Sequence, residues 1–128
     1  MTQSMKDKVV LVTGAGRGVG RGIALEMAKA GAAVVVNDLG ASLQGAQEAG
    51  LSPAEEVVKE IEAMGGRAVA NGNSVAEWDG AHEMVQAAID NFGRIDAVVN
   101  NAGILRDVLF HKMTEADFDA VIGVHLKG

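Results

Sequence analysis

Four glycines at alternate positions have the type and spacing to bind a phosphate through the backbone; they are Gly14, Gly16, Gly18 and Gly20. The apolar run Val9–Val12 precedes them and predicts a parallel strand that is buried on both faces. After them, Ile23, Met27 and Ala30 recur at helical spacing, and Gly31 predicts the end of that helix. In a strand–turn–helix context, glycines let the backbone approach a pyrophosphate, and the N–H groups of the helix N-terminus attract it. The sequence therefore predicts a dinucleotide site, because glycines that only reversed the chain would not need this alternation.

A carboxylate ends the second apolar run of the chain. Asp38 follows Ala33–Asn37 and lies about 20 residues beyond Gly20, where a Rossmann fold places the acid that binds the ribose hydroxyls of an adenosine. Because a carboxylate at that point repels a 2′-phosphate, Asp38 favours NAD over NADP. Arg17 is the opposing signal, since a basic residue in the glycine turn can bind the same phosphate. The alternative for Asp38 is a helix cap or a turn residue.

The next stretch predicts a helix that begins with a strong start signal. Ser52 and Pro53 have the residue types of an N-cap and a first helical position. Val57, Ile61 and Met64 then form an apolar stripe at helical spacing. We expect this stripe to face the core.

The rest of the chain completes an alternation of strands and helices. Arg67–Asn71 predicts a short, less apolar strand that suits a sheet edge, and Ala97–Val99 predicts a fourth strand. Between these strands a helix is predicted, and its expected core residues are Trp78, Val85, Ala88, Ile89 and Phe92. Thr114 predicts the N-cap of a last helix, with one face formed by Phe118, Val121, Ile122 and His125. With right-handed crossovers, this order predicts an α/β fold, a Rossmann-type doubly wound parallel sheet of strand order 3-2-1-4.

The glycine turn and the residues after the fourth predicted strand together resemble the short-chain dehydrogenase/reductase superfamily. The turn reads Thr13-Gly14-x-x-x-Gly18-x-Gly20, and the strand runs into Asn100-Asn101-Ala102-Gly103. In this family one Asn of the tetrapeptide secures the sheet, and the small residues let the backbone approach the nicotinamide ribose. The resemblance implies a set of cofactor-binding residues, namely Gly14, Arg17, Gly18, Val19, Gly20, Asp38, Leu39, Ser74, Val75, Asn101, Ala102 and Gly103.

Two positions depart from the family pattern. Ser74 stands where the family commonly has an Asp that contacts the adenine amino group, so an adenine contact there is expected to be weaker or to come from the backbone. His125 stands where most members have an Asn that anchors a water chain to the catalytic lysine. His125 has a supporting role in proton relay, or it is a core histidine with both nitrogens bound to the backbone. Three stretches, Asn37–Gly40, residues 101–107 and Val124–Gly128, narrow the resemblance to the (3R)-hydroxyacyl-CoA dehydrogenase units of peroxisomal multifunctional enzymes type 2 and their bacterial relatives.

This resemblance implies an oxidoreductase that transfers a hydride between a secondary alcohol and NAD, with a 3-hydroxyacyl thioester as the expected substrate. In the family a Tyr-x-x-x-Lys pair moves the proton and a Ser positions the developing carbonyl, but this sequence contains no Tyr, so those residues cannot be assigned. We therefore expect residues 1–128 to be a dinucleotide-binding domain that is truncated inside the helix after the fourth strand and inactive alone. The alternative is a non-catalytic nucleotide-binding module or a degenerate fragment. Full-length family members usually form homodimers or homotetramers.

The composition argues against several other classes of protein. The net charge is −6, which is unfavourable for a nucleic-acid surface or a polybasic membrane patch. No apolar run approaches the about 20 residues that cross a bilayer. The absence of cysteine excludes disulfides and Cys-ligated metals, and we expect no metal site. Met1–Lys8 is polar and lacks a signal-peptide core, so the expected location is cytoplasmic. The family resemblance, and not the composition, implies a small-molecule alcohol or ketone as the partner.

Overall fold

The computed structural model describes residues 4–39, 52–102, 114–116, 119 and 124. In order along residues 4–102 the elements are β1 (Val9–Val12), α1 (Gly18–Lys29), β2 (Ala33–Asn37), α2 (Pro53–Ala63), β3 (Arg67–Asn71), α3 (Trp78–Phe92) and β4 (Ala97–Val99). The strands pair in parallel in the order β3-β2-β1-β4. The predicted Rossmann-type α/β fold and its 3-2-1-4 strand order are therefore confirmed. The predicted apolar face of the last helix lies outside the described residues; its members are Phe118, Val121, Ile122 and His125.

Strands β1 and β2 form the centre of the sheet, and every residue in both is buried. Because the side chains of a strand alternate between faces, full burial requires helices on both sides of the sheet. On one face, β1 and β2 pack against α1 and α2 through Val10, Val12, Val34, Val36, Ala24, Ala28, Val57 and Ile61. On the other face they pack against α3 through Val9, Leu11, Ala33, Val35, Met84 and Ala88. The sheet is thus the middle layer of a three-layer structure.

The start of α2 has the cap that the sequence predicted. The Ser52 hydroxyl accepts a hydrogen bond from the backbone N–H of Glu55 at 3.2 Å, and the Glu55 carboxylate accepts one from the backbone N–H of Ser52 at 2.9 Å. Pro53 occupies the first helical position. The Ser52 N–H, followed by its side chain, lowers the pKa of Glu55 below its usual value. This reciprocal cap fixes the residue at which α2 begins.

An ion pair positions the start of β4 against β1. The Asp96 carboxylate accepts a hydrogen bond from the backbone N–H of Val9 at 2.8 Å and contacts the Arg94 guanidinium at 2.7 Å. The Arg94 hydrogen bond, and after it the Val9 N–H, lowers the pKa of Asp96. Val10 then pairs with Ala97 in the sheet register. The carboxylate therefore fixes where β4 joins the sheet.

The predicted core face of α3 is partly wrong. Two of the expected residues pack on the sheet, and they are Ala88 and Phe92. Trp78, Val85 and Ile89 are instead 85%, 39% and 41% exposed. Met84, which is 2% exposed, takes the core position because it lies one turn before Ala88 on the same helical face. The exposed residues lie on a neighbouring face of the helix.

The apolar stripes predicted for α1 and α2 also differ in part from the residues that the structure buries. Ile23 and Met27 of α1 are only partly buried, whereas Ala24 and Ala28 are buried against the sheet. Small residues on that face allow the helix to approach the strands closely. Met64 is the C-cap of α2 and is 41% exposed, because the helix ends at Ala63 and no longer directs residue 64 towards the core. Within the described part of the chain, no helix combines the length and the apolar character that a membrane span needs.

Candidate functional site

Those predicted site residues that the structure describes lie near the carboxyl ends of the parallel strands. The glycine turn, residues 13–18, follows the carboxyl end of β1 and leads directly into α1. Gly14 and Gly18 adopt left-handed φ angles of +63° and +56°, which favour glycine. Among the described residues, a Cβ at Gly18 would meet nothing within 4 Å, so the preference for glycine there comes from the backbone conformation. The turn therefore has an open side next to the N-terminus of α1.

The other side of the glycine turn is in close contact with the residues that follow β4. A Cβ at Gly14 would lie 2.9 Å from the Cα of Ala102 and 3.1 Å from Nδ2 of Asn101. A Cβ at Gly20 would lie 2.5 Å from the same Asn101 atom and would also strike the Gly14 carbonyl. These glycines permit α1, the turn and the end of β4 to approach more closely than residues with side chains would.

A buried hydroxyl joins the two turns. Thr13 is 3% exposed, and its Oγ1 accepts hydrogen bonds from the backbone N–H groups of Asn101 and Ala102, each at 3.0 Å. The same hydroxyl donates to the Val99 carbonyl at 3.3 Å. The Asn101 amide adds a hydrogen bond from Nδ2 to the Gly14 carbonyl at 3.2 Å. The side chain of Asn101 thus holds the glycine turn, and the backbone of Ala102 lies beside Gly14.

From the sequence, Thr13 was recognised only as the first residue of the glycine fingerprint, and no role was predicted for its hydroxyl. Its signal is a hydroxyl residue between an apolar strand and the first glycine, but its partners are 86 to 89 positions away along the chain. The role of Thr13 in joining the two turns can therefore be inferred only when β1 and β4 are known to be neighbours in the sheet.

Asp38 lies against the same glycine turn. Its Oδ2 accepts a hydrogen bond from the backbone N–H of Gly16 at 2.7 Å. The backbone joins the two segments as well, because the Ala15 N–H donates to the Asn37 carbonyl at 2.8 Å. The next residue, Leu39, is 40% exposed. The acid that the sequence singled out is thus brought beside the predicted phosphate-binding turn.

The N-terminus of α1 differs from that of α2 in how it is capped. Its N-cap residue, Arg17, makes no side-chain cap hydrogen bond, and the first turn carries no acidic residue. Arg17 is exposed, and Val19 in the first turn is 73% exposed. Helix N-termini carry partial positive charge and unpaired N–H groups, so this end of α1 is suited to an anion. Together with the open side of Gly18, the arrangement fits a dinucleotide phosphate.

A chain of asparagines fixes the ends of β2 and β3. Asn37 is 2% exposed, and its Nδ2 donates to Oδ1 of Asn71 and to the carbonyl of Asn73, both at 2.9 Å. Asn73 in turn donates from Nδ2 to Oε2 of Glu83 on α3 at 2.7 Å. The roles of Asn71 and Asn73 were not predicted from the sequence. Their only indication there is that polar residues stand at the end of a strand.

Ser74 follows this asparagine chain, at the position predicted to contact an adenine. Its hydroxyl accepts a hydrogen bond from the backbone N–H of Ala76 at 3.1 Å, which shapes the turn before α3. Val75 packs partly buried against the core beneath α3. Gly103 and His125 lie outside the described residues, so their predicted roles stay predictions. Among the residues that the structure describes, no group of three or more His, Cys, Asp or Glu side chains is placed to hold a metal ion.

Comparison with known proteins gives a consistent set of relatives. The family pattern described as short chain dehydrogenase matches residues 8–128. The chain is 56% identical over 128 residues to the "Peroxisomal multifunctional enzyme A" of Dictyostelium discoideum, covering 100% of this chain and 28% of that protein. It is 52% identical over 121 residues to the "Peroxisomal multifunctional enzyme type 2" of Mus musculus, covering 94% of this chain and 16% of that protein.

A solved structure is similar over nearly the same residues. The crystal structure of a short chain dehydrogenase from Mycobacterium avium superposes with a TM-score of 0.89 at 52% identity, over 97% of this chain and 42% of that one. The chain thus spans less than half the length of each of these relatives.

The expected cytoplasmic location is wrong. The relatives from Dictyostelium discoideum and Mus musculus carry peroxisomal names, as does the "Peroxisomal hydratase-dehydrogenase-epimerase" of Saccharomyces cerevisiae, which is 52% identical over 98% of this chain. These names point to the peroxisome instead of the cytoplasm. The absence of a signal-peptide core in the first residues, on which the expectation depended, does not distinguish between these two compartments.

Proposed function

The chain belongs to the short chain dehydrogenase family, and on this premise we propose that it binds NAD for the oxidation of a secondary alcohol. In such a reaction the nicotinamide accepts a hydride from the alcohol carbon. The observation that supports the proposal is the hydrogen bond between Asp38 and Gly16, because it joins the acid that we assign to the ribose to the turn that we assign to the pyrophosphate.

The pyrophosphate is assigned to the glycine turn and the first turn of α1. Gly14, Gly18 and Gly20 supply a backbone that a ligand can approach, with the close packing of Gly20 bringing α1 up to the turn. The uncapped N–H groups near Arg17 and Val19 are suited to its negative charge. No side chain of this turn needs to be charged for that purpose.

The adenosine is assigned to the ends of β2 and β3. Asp38 accepts hydrogen bonds from the ribose hydroxyls, and Leu39 supplies apolar surface beside it. A 2′-phosphate would meet the Asp38 carboxylate, which supports NAD over NADP. Arg17, which favours NADP, follows directly after Gly16, the residue that binds this carboxylate. Ser74 and Val75 bound the adenine side, and the engagement of the Ser74 hydroxyl with Ala76 leaves the backbone as its main contact.

The nicotinamide end is assigned to the turn after β4, where Asn101, Ala102 and Gly103 offer small side chains and backbone. His125 is assigned a supporting role in proton relay. We assign the substrate to the 3-hydroxyacyl thioesters. The name hydratase-dehydrogenase-epimerase of a relative supports a hydroxylated substrate, because a hydratase forms an alcohol that a dehydrogenase can oxidise. Full-length protein is expected to form a homodimer or a homotetramer.

The test is the substitution Asp38→Ala in the protein as its gene encodes it. We expect the affinity for NAD to fall by about tenfold, the loss typical of a hydrogen bond to a charged group, while the affinity for NADP falls less or rises. Isothermal titration with each dinucleotide measures both constants, and Asp79→Ala, in the first turn of α3, is the matched control. If the variant keeps the NAD preference of the wild type, the assignment of Asp38 is wrong.

A further inference from the structure

Gly16 stands at a position that the family fingerprint does not account for. In the pattern Thr13-Gly14-x-x-x-Gly18-x-Gly20 it is one of the unspecified residues. Its φ is not positive, unlike the φ of Gly14 and Gly18, so its backbone conformation does not demand a glycine. The reason for a glycine here must therefore be a contact.

The contact is with the Asp38 carboxylate. A Cβ on residue 16 would lie 2.6 Å from Oδ2 of Asp38 and 2.7 Å from Cβ of Pro53. Both distances are too short for atoms that are not bonded. The backbone N–H of Gly16 donates to the same Oδ2 at 2.7 Å. Gly16 therefore supplies both the donor that binds the carboxylate and the space that the carboxylate occupies.

We propose that Gly16 is a specificity-determining position, which selects NAD over NADP by fixing the Asp38 carboxylate against the glycine turn. This inference rests on the proposed function, because it concerns how the same acid meets the adenosine ribose. A carboxylate oxygen has two lone-pair directions, so Oδ2 can accept from Gly16 and from a ribose hydroxyl together. Gly16 acts only through Asp38 and is a positioning residue.

The structure also indicates which atoms yield when a side chain is added at position 16. Pro53 is the first residue of α2, and the reciprocal hydrogen bonds between Ser52 and Glu55 hold that helix start in place. The Asp38 carboxylate is the end of a side chain and can rotate about its χ angles. An added methyl group therefore displaces the carboxylate, and because Pro53 stays in place it also pushes residue 16 away from the start of α2. Both movements separate the Asp38 carboxylate from the N–H of residue 16, which weakens ribose binding and reduces repulsion of a 2′-phosphate.

The experiment compares the Gly16→Ala variant of the full-length protein with the wild type. Isothermal titration gives the dissociation constants for NAD and NADP, and their ratio is the readout. We expect the preference for NAD to fall by at least about tenfold, as for loss of a hydrogen bond to a charged group. The matched control is Gly22→Ala, an exposed position on α1 where a Cβ meets nothing within 4 Å, and it should keep the wild-type ratio.

A second set of variants separates positioning from a general structural effect. In an Asp38→Ala background, Gly16→Ala should leave the ratio unchanged, because the residue that it acts through is gone. A further fall in that background would overturn the inference. Asp38→Glu keeps Gly16 but adds a methylene that does not fit the same space, so it should lower the preference even if Gly16→Ala proves too unstable to assay. An Asp38→Glu protein with the wild-type ratio would overturn the inference as well.

The outcomes distinguish this inference from the function that it rests on. If the wild type binds neither dinucleotide, the proposed function fails and the inference fails with it. If the wild type prefers NAD and Asp38→Ala removes the preference while Gly16→Ala retains it, only the inference fails.

Discussion

Replacement of Thr13 by valine tests how the glycine turn is held to the end of β4. Valine has nearly the same shape as threonine but cannot accept a hydrogen bond. The Ala102 N–H would lose its Thr13 acceptor at 3.0 Å, whereas the Asn101 N–H would keep the Val99 carbonyl, also at 3.0 Å. The substitution thus removes the acceptor of one N–H group and weakens the hydrogen bonding of another.

The expected loss of stability follows from these contacts. A buried N–H group without a partner costs about 1–3 kcal/mol. Ala102 is only half-buried, so the lower part of that range applies to it, and the lost share of the other hydrogen bonds at Thr13 adds a smaller amount. We expect Thr13→Val to lower the free energy of unfolding by about 2 kcal/mol, which is more than tenfold in the unfolding equilibrium constant.

The assay is urea unfolding of the full-length protein, combined with hydrogen exchange at the Ala102 amide. Thr13→Ser is the control, because it keeps the hydroxyl and removes only a methyl group. We expect the Ala102 amide to exchange faster in the valine variant and to stay protected in the serine variant. Equal protection of that amide in both variants would refute the reasoning, whatever their stabilities.

Two further predictions concern the ion pair and α3. Asp96→Asn should lower the free energy of unfolding at neutral pH, and this loss should shrink as the pH falls below about 3.8. The reason is that folding lowers the pKa of Asp96, so the charged carboxylate stabilises the fold above its unfolded pKa. That stabilisation is lost as the pH falls through the folded pKa. Urea unfolding at pH 7 and pH 3 measures it, and a difference from wild type that is constant across this range would contradict the assignment. Met84→Ala should cost about 2–5 kcal/mol in thermal or urea unfolding because its side chain is buried, whereas Trp78→Ala should change stability by less than about 0.5 kcal/mol. A larger loss at Trp78 than at Met84 would restore the core face predicted from sequence.

Much of the fold could be predicted because the strongest signals are local. Val9–Val12 and Ala33–Asn37 are apolar without alternation, and that pattern directly reflects burial on both faces of a parallel sheet. The start of α2 could be predicted equally well, because its N-terminal cap is formed within four residues by Ser52, Pro53 and Glu55. In each case the information and the structural consequence lie in the same short segment.

The errors arose where the partner surface decides. On α3, Trp78 and Ile89 are as apolar as Met84, and only the position of the sheet determines which helical face is buried. Likewise, the sequence indicated a site at Gly14 and Asp38 but not the parts of Thr13 and Gly16 in holding it. Those parts depend on contacts between residues far apart along the chain, which spacing does not reveal.

The pairing of β1 with β4 has a consequence for the order in which the protein folds. β1, β2 and β3 lie side by side in the order in which they occur along the chain, whereas β4 returns to the opposite side of β1. The hydrogen bond from Val9 to Asp96 closes a loop of 87 residues, and the entropy cost of closure increases with loop length. We therefore expect β4 to pair after β1, β2 and β3 have assembled. Asn101 and Ala102, which contact Gly14, would then reach the glycine turn only when β4 joins the sheet. If the protein binds a dinucleotide as proposed, recovery of that binding during refolding should follow the phase in which β4 pairs with β1, which makes the ligand a probe of that step.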